Sequence, residues 1–264
     1  MDRISEWGGA VNGHLDRAHV RTAVVAGGDT PWQSYLAEVL EERGWLVKRL
    51  DLAQPPVVLR EVQERHGGID AVVLSQWTGS PGLETPPSPV VSGAQFGRTV
   101  SPLLDWAETS REVIGEGGTG RVVMAVTAAS VLSSPARPHE SVAGAALVGY
   151  IRLCRGIAPG SDVAVNGLVM DPHDIDLGAE LGSESLRTAA AVAAYLADHH
   201  CTLRGELISV ARGRVARLFT MSTLGDYLIS PSVEEMERRL ERIIDPQHAV
   251  DLRSAESQSA LIDV

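Results

Sequence analysis

The sequence contains little cysteine, which argues against a fold that depends on it. Only Cys154 and Cys201 occur among the 264 residues, and their separation is not that of a structural zinc motif. Disulfide frameworks belong mainly to small secreted domains, whereas a chain of this length can bury a sizeable core without them. We expect one globular domain in a reducing cytoplasm, with no metal site.

Lysine is almost absent. Lys48 is the single lysine, and 34 acidic residues outnumber 23 basic ones, which gives a net charge of -11. Proteins that bind nucleic acid concentrate Lys and Arg to displace counterions from phosphates, and no such cluster occurs here. The sequence therefore argues against a nucleic-acid partner.

Long apolar runs are also missing. Nowhere do eighteen apolar residues follow one another, and the first twenty residues carry acidic side chains and no apolar run of signal-peptide length. We expect neither membrane insertion nor export.

What the chain does contain is an alternation of short β-branched runs with helical patterns. The stretch 22–52, TAVVAGGDTPWQSYLAEVLEERGWLVKRLDL, predicts strand, turn, helix and strand, and similar units follow. The pattern predicts an α/β fold, a doubly wound, Rossmann-like sheet of seven parallel strands with helices on both faces. This domain is expected over residues 21–230, after an N-terminal extension (1–20) and before a C-terminal helix and tail (231–264).

Two central stretches carry a family resemblance. GRVVMAVTAAS and AALVGYIRLCRGIAPGSDVAVNGLV resemble the strand, catalytic helix and strand of the short-chain dehydrogenase/reductase family. The resemblance covers about residues 22–213, and GRVARLFTMSTLGDY with the charged helix after it is similar to the C-terminal extension of members that act on hydroxyacyl-CoA thioesters. It implies hydride transfer between NAD(P) and a carbinol carbon by an Asn, Ser, Tyr and Lys set.

The resemblance places altered residues at the catalytic positions. Aligning GAALVG with the family's Lys-Ala-Ala-Leu-Val-Gly puts Gly144 at the lysine position and Glu140 at the tyrosine position. The usual spacing puts Thr127 at the serine position, which keeps a hydroxyl. No asparagine lies between Asn12 and Asn166 to complete the set. The catalytic residues are therefore not intact.

No other register restores the pair, because Gly44 stands four residues before Lys48. Glu140 is a candidate base in its own right, since burial raises the pKa of a carboxyl group. The favoured interpretation is an acid that opens a helix, where the helix dipole stabilises it. His139 beside it has no visible nucleophile or orienting partner.

The cofactor loops that the resemblance implies are altered as well. The family's Thr-Gly-x-x-x-Gly-x-Gly corresponds to AGGDTPWQ (26–33), in which Gly27 is the one motif glycine that remains. Pro31 removes a backbone N–H, Gln33 adds a side chain where the helix should approach the pyrophosphate, and Asp29 adds a negative charge. Each change opposes phosphate binding.

The remaining cofactor positions give a mixed picture. Residues 74–77 replace the family's Asn-Asn-Ala-Gly, and residues 170–171 replace its Pro-Gly. Asp51 ends the second strand, where an acid would hold the adenosine ribose of NAD, although a solvated acid is an equally good interpretation. Trp32 and Trp77 are large enough to fill the vacated groove, and the less favoured alternative is that they stack a different flat ligand.

His199 and His200 precede Cys201, which suggests a metal site. Because histidine is favoured at the end of a helix, and because the sequence shows no accompanying Asp or Glu ligand pattern, we prefer a structural explanation.

The resemblance also implies a mode of assembly. Family members associate through the two helices beside the active site, here near residues 96–113 and 140–157. Loss of catalytic groups beside a retained apolar helix face predicts a non-catalytic subunit. It would pair with an active homologue, which carries NAD and oxidises a 3-hydroxyacyl-CoA to the 3-oxoacyl form.

Mixed tetramers of this kind occur in the family. The resemblance implies two settings, the hydroxyacyl-CoA dehydrogenase of benzylsuccinate degradation and aminocoumarin antibiotic synthesis, and the C-terminal region favours the first. Two alternatives stay open. One is an enzyme with non-redox chemistry (dehydration, cyclisation or isomerisation) that uses Glu140, His139 or Thr127, and the other is a regulator that senses a ligand in the altered groove.

Overall fold

The computed structural model describes residues 20–28, 30–75, 93–156, 162–171 and 183–252. The strands are β1 (Thr22–Gly27), β2 (Leu46–Leu50), β3 (Ala71–Ser75), β4 (Thr119–Thr127), β5 (Asp162–Met170), β6 (Leu207–Ala211), β7 (Arg214–Leu218), β8 (Met221–Ser222) and β9 (Val250–Asp251). The helices are α1 (Pro31–Glu42), α2 (Val58–His66), α3 (Gly93–Gly117), α4 (Ala128–Leu132), α5 (Pro138–Leu153), α6 (Ser183–Ala197) and α7 (Val233–Ile243), and a 3-10 turn spans Pro246–His248.

Seven strands form one sheet in the order β2-β1-β3-β4-β5-β6-β7. Strands β1 to β6 are parallel, which confirms the Rossmann-like α/β fold with its seven strands. The expectation that every strand is parallel is wrong for β7, which runs antiparallel to β6. Only Arg212 (φ 48°) and Gly213 (φ 77°) separate these two strands, and a two-residue link makes a hairpin because it is too short for a crossover.

Helices cover both faces of the sheet. On one face α2, α3 and α5 pack over a cluster that includes Val24, Val72 and Val122. On the other face α1 and α6 pack over a cluster that includes Ala23 and Val25. Because successive strand residues point to opposite faces and both faces are covered, the inner strands β1, β3, β4 and β5 are apolar over most of their length.

The ends of the parallel strands define the two edges of the sheet. Gly27, Ser75, Thr127 and Met170 are the last residues of β1, β3, β4 and β5, so they meet at the carboxyl edge. Doubly wound sheets bind their ligands at this edge. The expected catalytic and cofactor positions therefore belong here.

The chain after β7 forms a C-terminal arm, residues 219–252. In it β8 pairs with β9, and α7 lies between them in sequence. Leu218, at the end of β7, lies opposite Leu207 at the start of β6, so the arm leaves from the amino edge of the sheet. Near the end of the arm, the carboxylate of Asp251 forms an ion pair with the guanidinium of Arg217 in β7, with 3.2 Å between Nη2 and Oδ2. None of the described helices is both long enough and apolar enough to cross a membrane.

Candidate functional site

The loop between β1 and α1 is closed by its own side chains. A Cβ atom on Gly27 would collide with the carbonyl oxygen of Ser75 and with Nε2 of Gln33. Glycine is therefore required at position 27 by the close approach of β3. The Gln33 side chain, 2% exposed, occupies the space beside it.

Gln33 also uses the hydrogen-bonding groups at the start of α1. Its side-chain Oε1 accepts from the backbone N–H of Thr30 (3.3 Å) and from the Thr30 hydroxyl (3.2 Å). The backbone N–H of Gln33 donates to the Thr30 carbonyl (3.1 Å). Pro31, the first helical residue, has no N–H to offer. Because phosphate binding at a helix start depends on free N–H groups, this start is poorly suited to it.

Trp32 lies inside the protein. It is 1% exposed and belongs to the cluster that α1 and α6 bury against the sheet, together with Leu36, Leu168 and Ala190. A ring in this position is unavailable for stacking on a ligand, and it fills core space instead. The other tryptophan considered for this role, Trp77, lies outside the described residues, as do Asp29 and Gln76.

Asp51 is exposed at the end of β2 and folds back on its own loop. Its Oδ1 accepts from the backbone N–H of Ala53 at 2.9 Å, and its N–H donates to Oε1 of Gln54 at 3.3 Å. This is the local turn that aspartate commonly makes. It agrees with the interpretation of Asp51 as a solvated acid.

The lysine position has no room for a side chain. Gly144 is buried on α5, and a Cβ atom there would collide with the Oγ and Cβ atoms of Ser130 and would lie 3.0 Å from its Cα. Ser130 belongs to α4, the helical turn that follows β4 directly. Ser130 of α4, mainly through its side chain, therefore closes the space from which a lysine would extend. Sequence analysis did not predict this contact, since the family's catalytic set includes no residue at the position of Ser130.

The one retained hydroxyl is engaged with the same serine. Thr127 Oγ1 lies 3.3 Å from Ser130 Oγ, and both side chains are buried. The two residues are three apart, so the first turn of α4 brings them together. A hydroxyl held in this way is not directed at a substrate.

Glu140 lies in the first turn of α5, with its side chain 29% exposed. Its carboxylate lies 3.3 Å from the guanidinium of Arg137, three residues earlier, which is the geometry of an ordinary ion pair at a helix start. Nδ1 of the adjacent His139 is buried and has no hydrogen-bond partner among the described residues. Glu140 and Thr127 thus have separate partners, and the structure does not join them into one acid-base site.

The outer faces of α3 and α5 form a second surface of interest. On α5 the exposed residues Val142, Ala145, Gly149 and Leu153 follow one another at helical spacing, and Val142 and Leu153 are 46% and 61% exposed. The neighbouring exposed stripe of α3 is acidic, with Asp105, Glu108, Glu112 and Glu116.

Tyr150 of α5 lies near Glu108 of α3, between the two helices. Its hydroxyl is buried, and burial, with smaller contributions from Cys154 and Glu108, raises its pKa well above the ordinary value. Tyr150 therefore stays protonated at any physiological pH and cannot act as the tyrosinate base of a dehydrogenase.

A polar cluster joins the end of α6 to the α1–β2 turn. Asp198 Oδ2 accepts from Arg21 (3.0 Å) and Arg43 (3.2 Å), and Oδ1 lies 3.1 Å from His199 Nδ1 and 2.8 Å from His200 Nδ1. Burial alone would raise the pKa of Asp198, but the hydrogen bonds from His200 and the two guanidinium groups hold it well below the ordinary value. The sequence analysis found no Asp or Glu ligand pattern beside the histidines, but Asp198 brings a carboxylate within reach of both rings. Two arginines on the same carboxylate nevertheless oppose a metal ion there.

Comparison with known proteins rests on structure alone, because no family model matches the sequence and no curated protein is similar enough to be matched. The chain is similar to full-length peroxisomal multifunctional enzyme type 2 from Drosophila melanogaster, with a TM-score of 0.68 and 19% identity over 92% of this chain and 49% of that one. It thus spans about half the length of the Drosophila enzyme. It is also similar to a short chain dehydrogenase from Mycobacterium avium, with a TM-score of 0.69 and 12% identity over 86% of this chain and 98% of that one.

A third similar structure is acetoin dehydrogenase from Enterobacter cloacae, with a TM-score of 0.58 and 17% identity over 73% of this chain and 94% of that one. All three likenesses are low in identity, and what they establish is the fold, which is that of the short-chain dehydrogenases. The two structures named before it match more of this chain than acetoin dehydrogenase does.

Proposed function

We propose that this chain is a non-catalytic subunit with a short-chain dehydrogenase fold, which assembles with an active homologous subunit. One observation carries the proposal: the side chain of Ser130, with its Cα directly behind, occupies the space next to Gly144, where a catalytic lysine would need it. A pocket that had lost one catalytic side chain by substitution would keep its space. Here the space is closed by a helical turn, so a single reversion does not restore the site.

The chain itself is proposed to bind no NAD. The start of α1 lacks an N–H at Pro31, and Gln33 takes up the N–H of Thr30 and the space beside Gly27. Removing donors and adding side-chain volume both weaken phosphate binding. NAD belongs to the partner subunit in this proposal.

The contact with the partner is assigned to the outer faces of α3 and α5, near residues 96–113 and 140–157. Support comes from the exposed stripe of α5, in which Ala145 and Gly149 allow close approach of another helix while Val142 and Leu153 supply apolar area. The acids of the α3 stripe beside it are largely paired within the chain, Glu108 with Arg111 and Glu116 with Arg60, so they give this surface a polar rim.

The partner's reaction is proposed to be oxidation of a 3-hydroxyacyl-CoA or a related thioester to the 3-oxoacyl form, in which hydride passes to NAD and a proton is released. The likeness to multifunctional enzyme type 2, which extends over 92% of this chain, supports this choice over the reaction of a small alcohol. Benzylsuccinate degradation is the pathway that the family resemblance favours. We place the assembly in the cytoplasm, where the free thiols of Cys154 and Cys201 are stable.

The experiment is purification of the chain alone and with the short-chain dehydrogenase encoded nearest to it. We expect stable co-purification, saturable NADH binding only when the homologue is present, and 3-hydroxyacyl-CoA oxidation only by the pair. NAD-dependent dehydrogenase activity of the isolated chain would contradict the proposal. Separate elution of the two chains would remove the assembly part of it.

A non-redox enzyme has one observation in its favour, the unpartnered Nδ1 of His139 beside Glu140. Its test is titration of the isolated chain with 3-hydroxyacyl-CoA and 2-enoyl-CoA thioesters, with product formation measured without nicotinamide. Turnover that the His139→Ala variant lacks would favour this second function over the first.

A further inference from the structure

The C-terminal arm exposes an unusual amount of apolar surface. Nine large apolar side chains between residues 219 and 244 are exposed, by 39% to 78% of their surface. If each exposes about half of a surface of ~170 Å², the total is roughly 800 Å², which is what one partner contributes to a standard protein interface. Isolated exposed apolar residues are normal on a protein surface, but this density in one short segment indicates a contact.

Helix α7 is attached to its own domain by its polar side. Arg239 lies 2.8 Å and Arg242 3.9 Å from the carboxylate of Asp226, whose side chain is 10% exposed. The Thr223 hydroxyl donates to the carbonyl of Ile243 at 2.6 Å. These contacts fix the helix on the domain without using its apolar residues.

The apolar residues of α7 lie on a different side. Val233, Met236, Leu240 and Ile244 share one stripe and are 71%, 39%, 49% and 61% exposed, and none of the described residues of α7 is buried. A surface helix ordinarily turns its apolar stripe to the core and its charges to water. In α7 the arginines contact the domain and the apolar stripe faces solvent.

The arm and the altered nucleotide site leave the sheet at opposite edges. Because β7 is antiparallel, the arm begins at the amino edge of the sheet. The altered nucleotide site lies instead beside the ends of β1 and β3, at the carboxyl edge.

The spacing of the stripe identifies its partner. Val233, Met236 and Leu240 of the stripe and the half-buried Ile243 at its edge are separated by three, four and three residues, which is the spacing of the seam of a two-helix coiled coil. Such a seam fits a copy of itself across a two-fold axis. In the antiparallel arrangement Met236 of one copy faces Leu240 of the other, and Val233 faces Ile243. We infer that α7 packs antiparallel against α7 of a second copy of this chain.

This contact shares no residue with the outer faces of α3 and α5. A subunit can therefore pair with its own copy through α7 and with a homologue through α3 and α5 at the same time. One two-fold contact between identical chains, with one homologue bound to each of them, builds a mixed tetramer with two copies of each subunit.

The test is the mass of the purified full chain in the absence of any homologue, measured by sedimentation velocity over a range of micromolar concentrations. We expect Leu240→Glu to halve the mass of the wild-type assembly, because it places a charge in the seam. Arg238→Glu introduces the same side chain on the opposite side of α7 and should leave the mass unchanged. A wild-type monomer, or equal masses for the two variants, overturns the inference.

Cross-linking gives a second readout that does not depend on a destabilising change. In an antiparallel pair residue 236 faces residue 240 of the other copy, so mixed Met236→Cys and Leu240→Cys chains should form a disulfide-linked dimer under mild oxidation. Arg238→Cys in the same mixture is the control, and the two native thiols are buried or half-buried. Equal cross-linking of the control overturns the inference. Because no homologue is in the sample, that result leaves the proposed function standing.

Discussion

The carboxyl edge of the sheet and the C-terminal arm treat their surfaces in opposite ways. At the carboxyl edge, Gln33 and Ser130 occupy the space that a cofactor and a catalytic lysine would need. In the arm, large side chains such as Tyr227 and Ile229 are 74% and 78% exposed. Side chains thus fill the described part of the carboxyl edge, whereas the arm leaves large apolar side chains exposed, and this is the contrast that the proposed role as an associating subunit requires.

The largest effect is expected where the closed region is forced open. Gly144→Lys should destabilise the protein by about 3 kcal/mol, because the new side chain collides with Ser130 in a packed core. Gly149→Lys is the matched control, since nothing lies within 4 Å of its Cβ position and replacing an exposed helical glycine stabilises by up to about 1 kcal/mol. Urea unfolding of the two variants measures the contrast. Equal stabilities would mean that the α4–α5 contact is not as tight as described.

A smaller effect is expected at the polar cluster that ends α6. Asp198→Asn should cost about 2 kcal/mol, because it removes the charge that Arg21 and Arg43 share, with a discount for the partial exposure of both arginines. An aspartate in an unfolded chain has a pKa of ~3.9, and the folded value lies below it. This contribution is therefore fully present above about pH 5 and is lost as the pH falls toward the folded pKa.

The measurement is the difference in unfolding free energy between wild type and Asp198→Asn at pH 7 and at pH 3. We expect the difference to shrink on acidification. Asp105→Asn is the control, because Asp105 is exposed on α3. A difference that grows at low pH would contradict the assigned direction of the Asp198 pKa.

At the start of α1 a moderate effect is expected. Gln33→Ala should destabilise by about 1 to 2 kcal/mol, because the Thr30 hydroxyl loses its acceptor, the Thr30 N–H keeps only the Gly28 carbonyl, and a buried side chain is removed. Glu38→Ala on the same helix is exposed and should change stability by less than about 0.5 kcal/mol. NADH fluorescence titration is the second measurement. Saturable binding by the Gln33→Ala variant would show that this side chain alone keeps the cofactor out.

The sequence was sufficient for the sheet and insufficient for the contacts that close its edge. The apolar, β-branched runs in β1 and β4 predict buried parallel strands, because that pattern depends on neighbouring residues only. Helix α4 has five residues, and a helix this short takes its conformation from the packing around it. Its contact with Gly144 joins residues fourteen apart through two helix surfaces. No local pattern encodes such a contact.

Two other differences have separate reasons. The antiparallel course of β7 follows from the two-residue link at Arg212 and Gly213, and sequence analysis had assigned the strand after this link to the C-terminal extension. The partners of Asp198 include Arg21, 177 residues away in the chain, and spacing rules cannot reach such distances. Features that depend on local periodicity were predictable, and features that depend on long-range side-chain contacts were not.

The smallest effect on stability is expected on the outer face of α5, and it gives the sharpest test of the comparison. Leu153→Glu should change the free energy of unfolding by less than about 0.5 kcal/mol, because the side chain is already 61% exposed. If this face meets a homologous subunit, the same substitution should abolish co-purification, since a charge would be buried without a partner. Glu41→Lys, on the exposed side of α1, is a control that should change neither quantity. A Leu153→Glu chain that still co-purifies at the wild-type level would show that the homologue binds another surface. The exposed apolar side chains of α5 would then need another explanation.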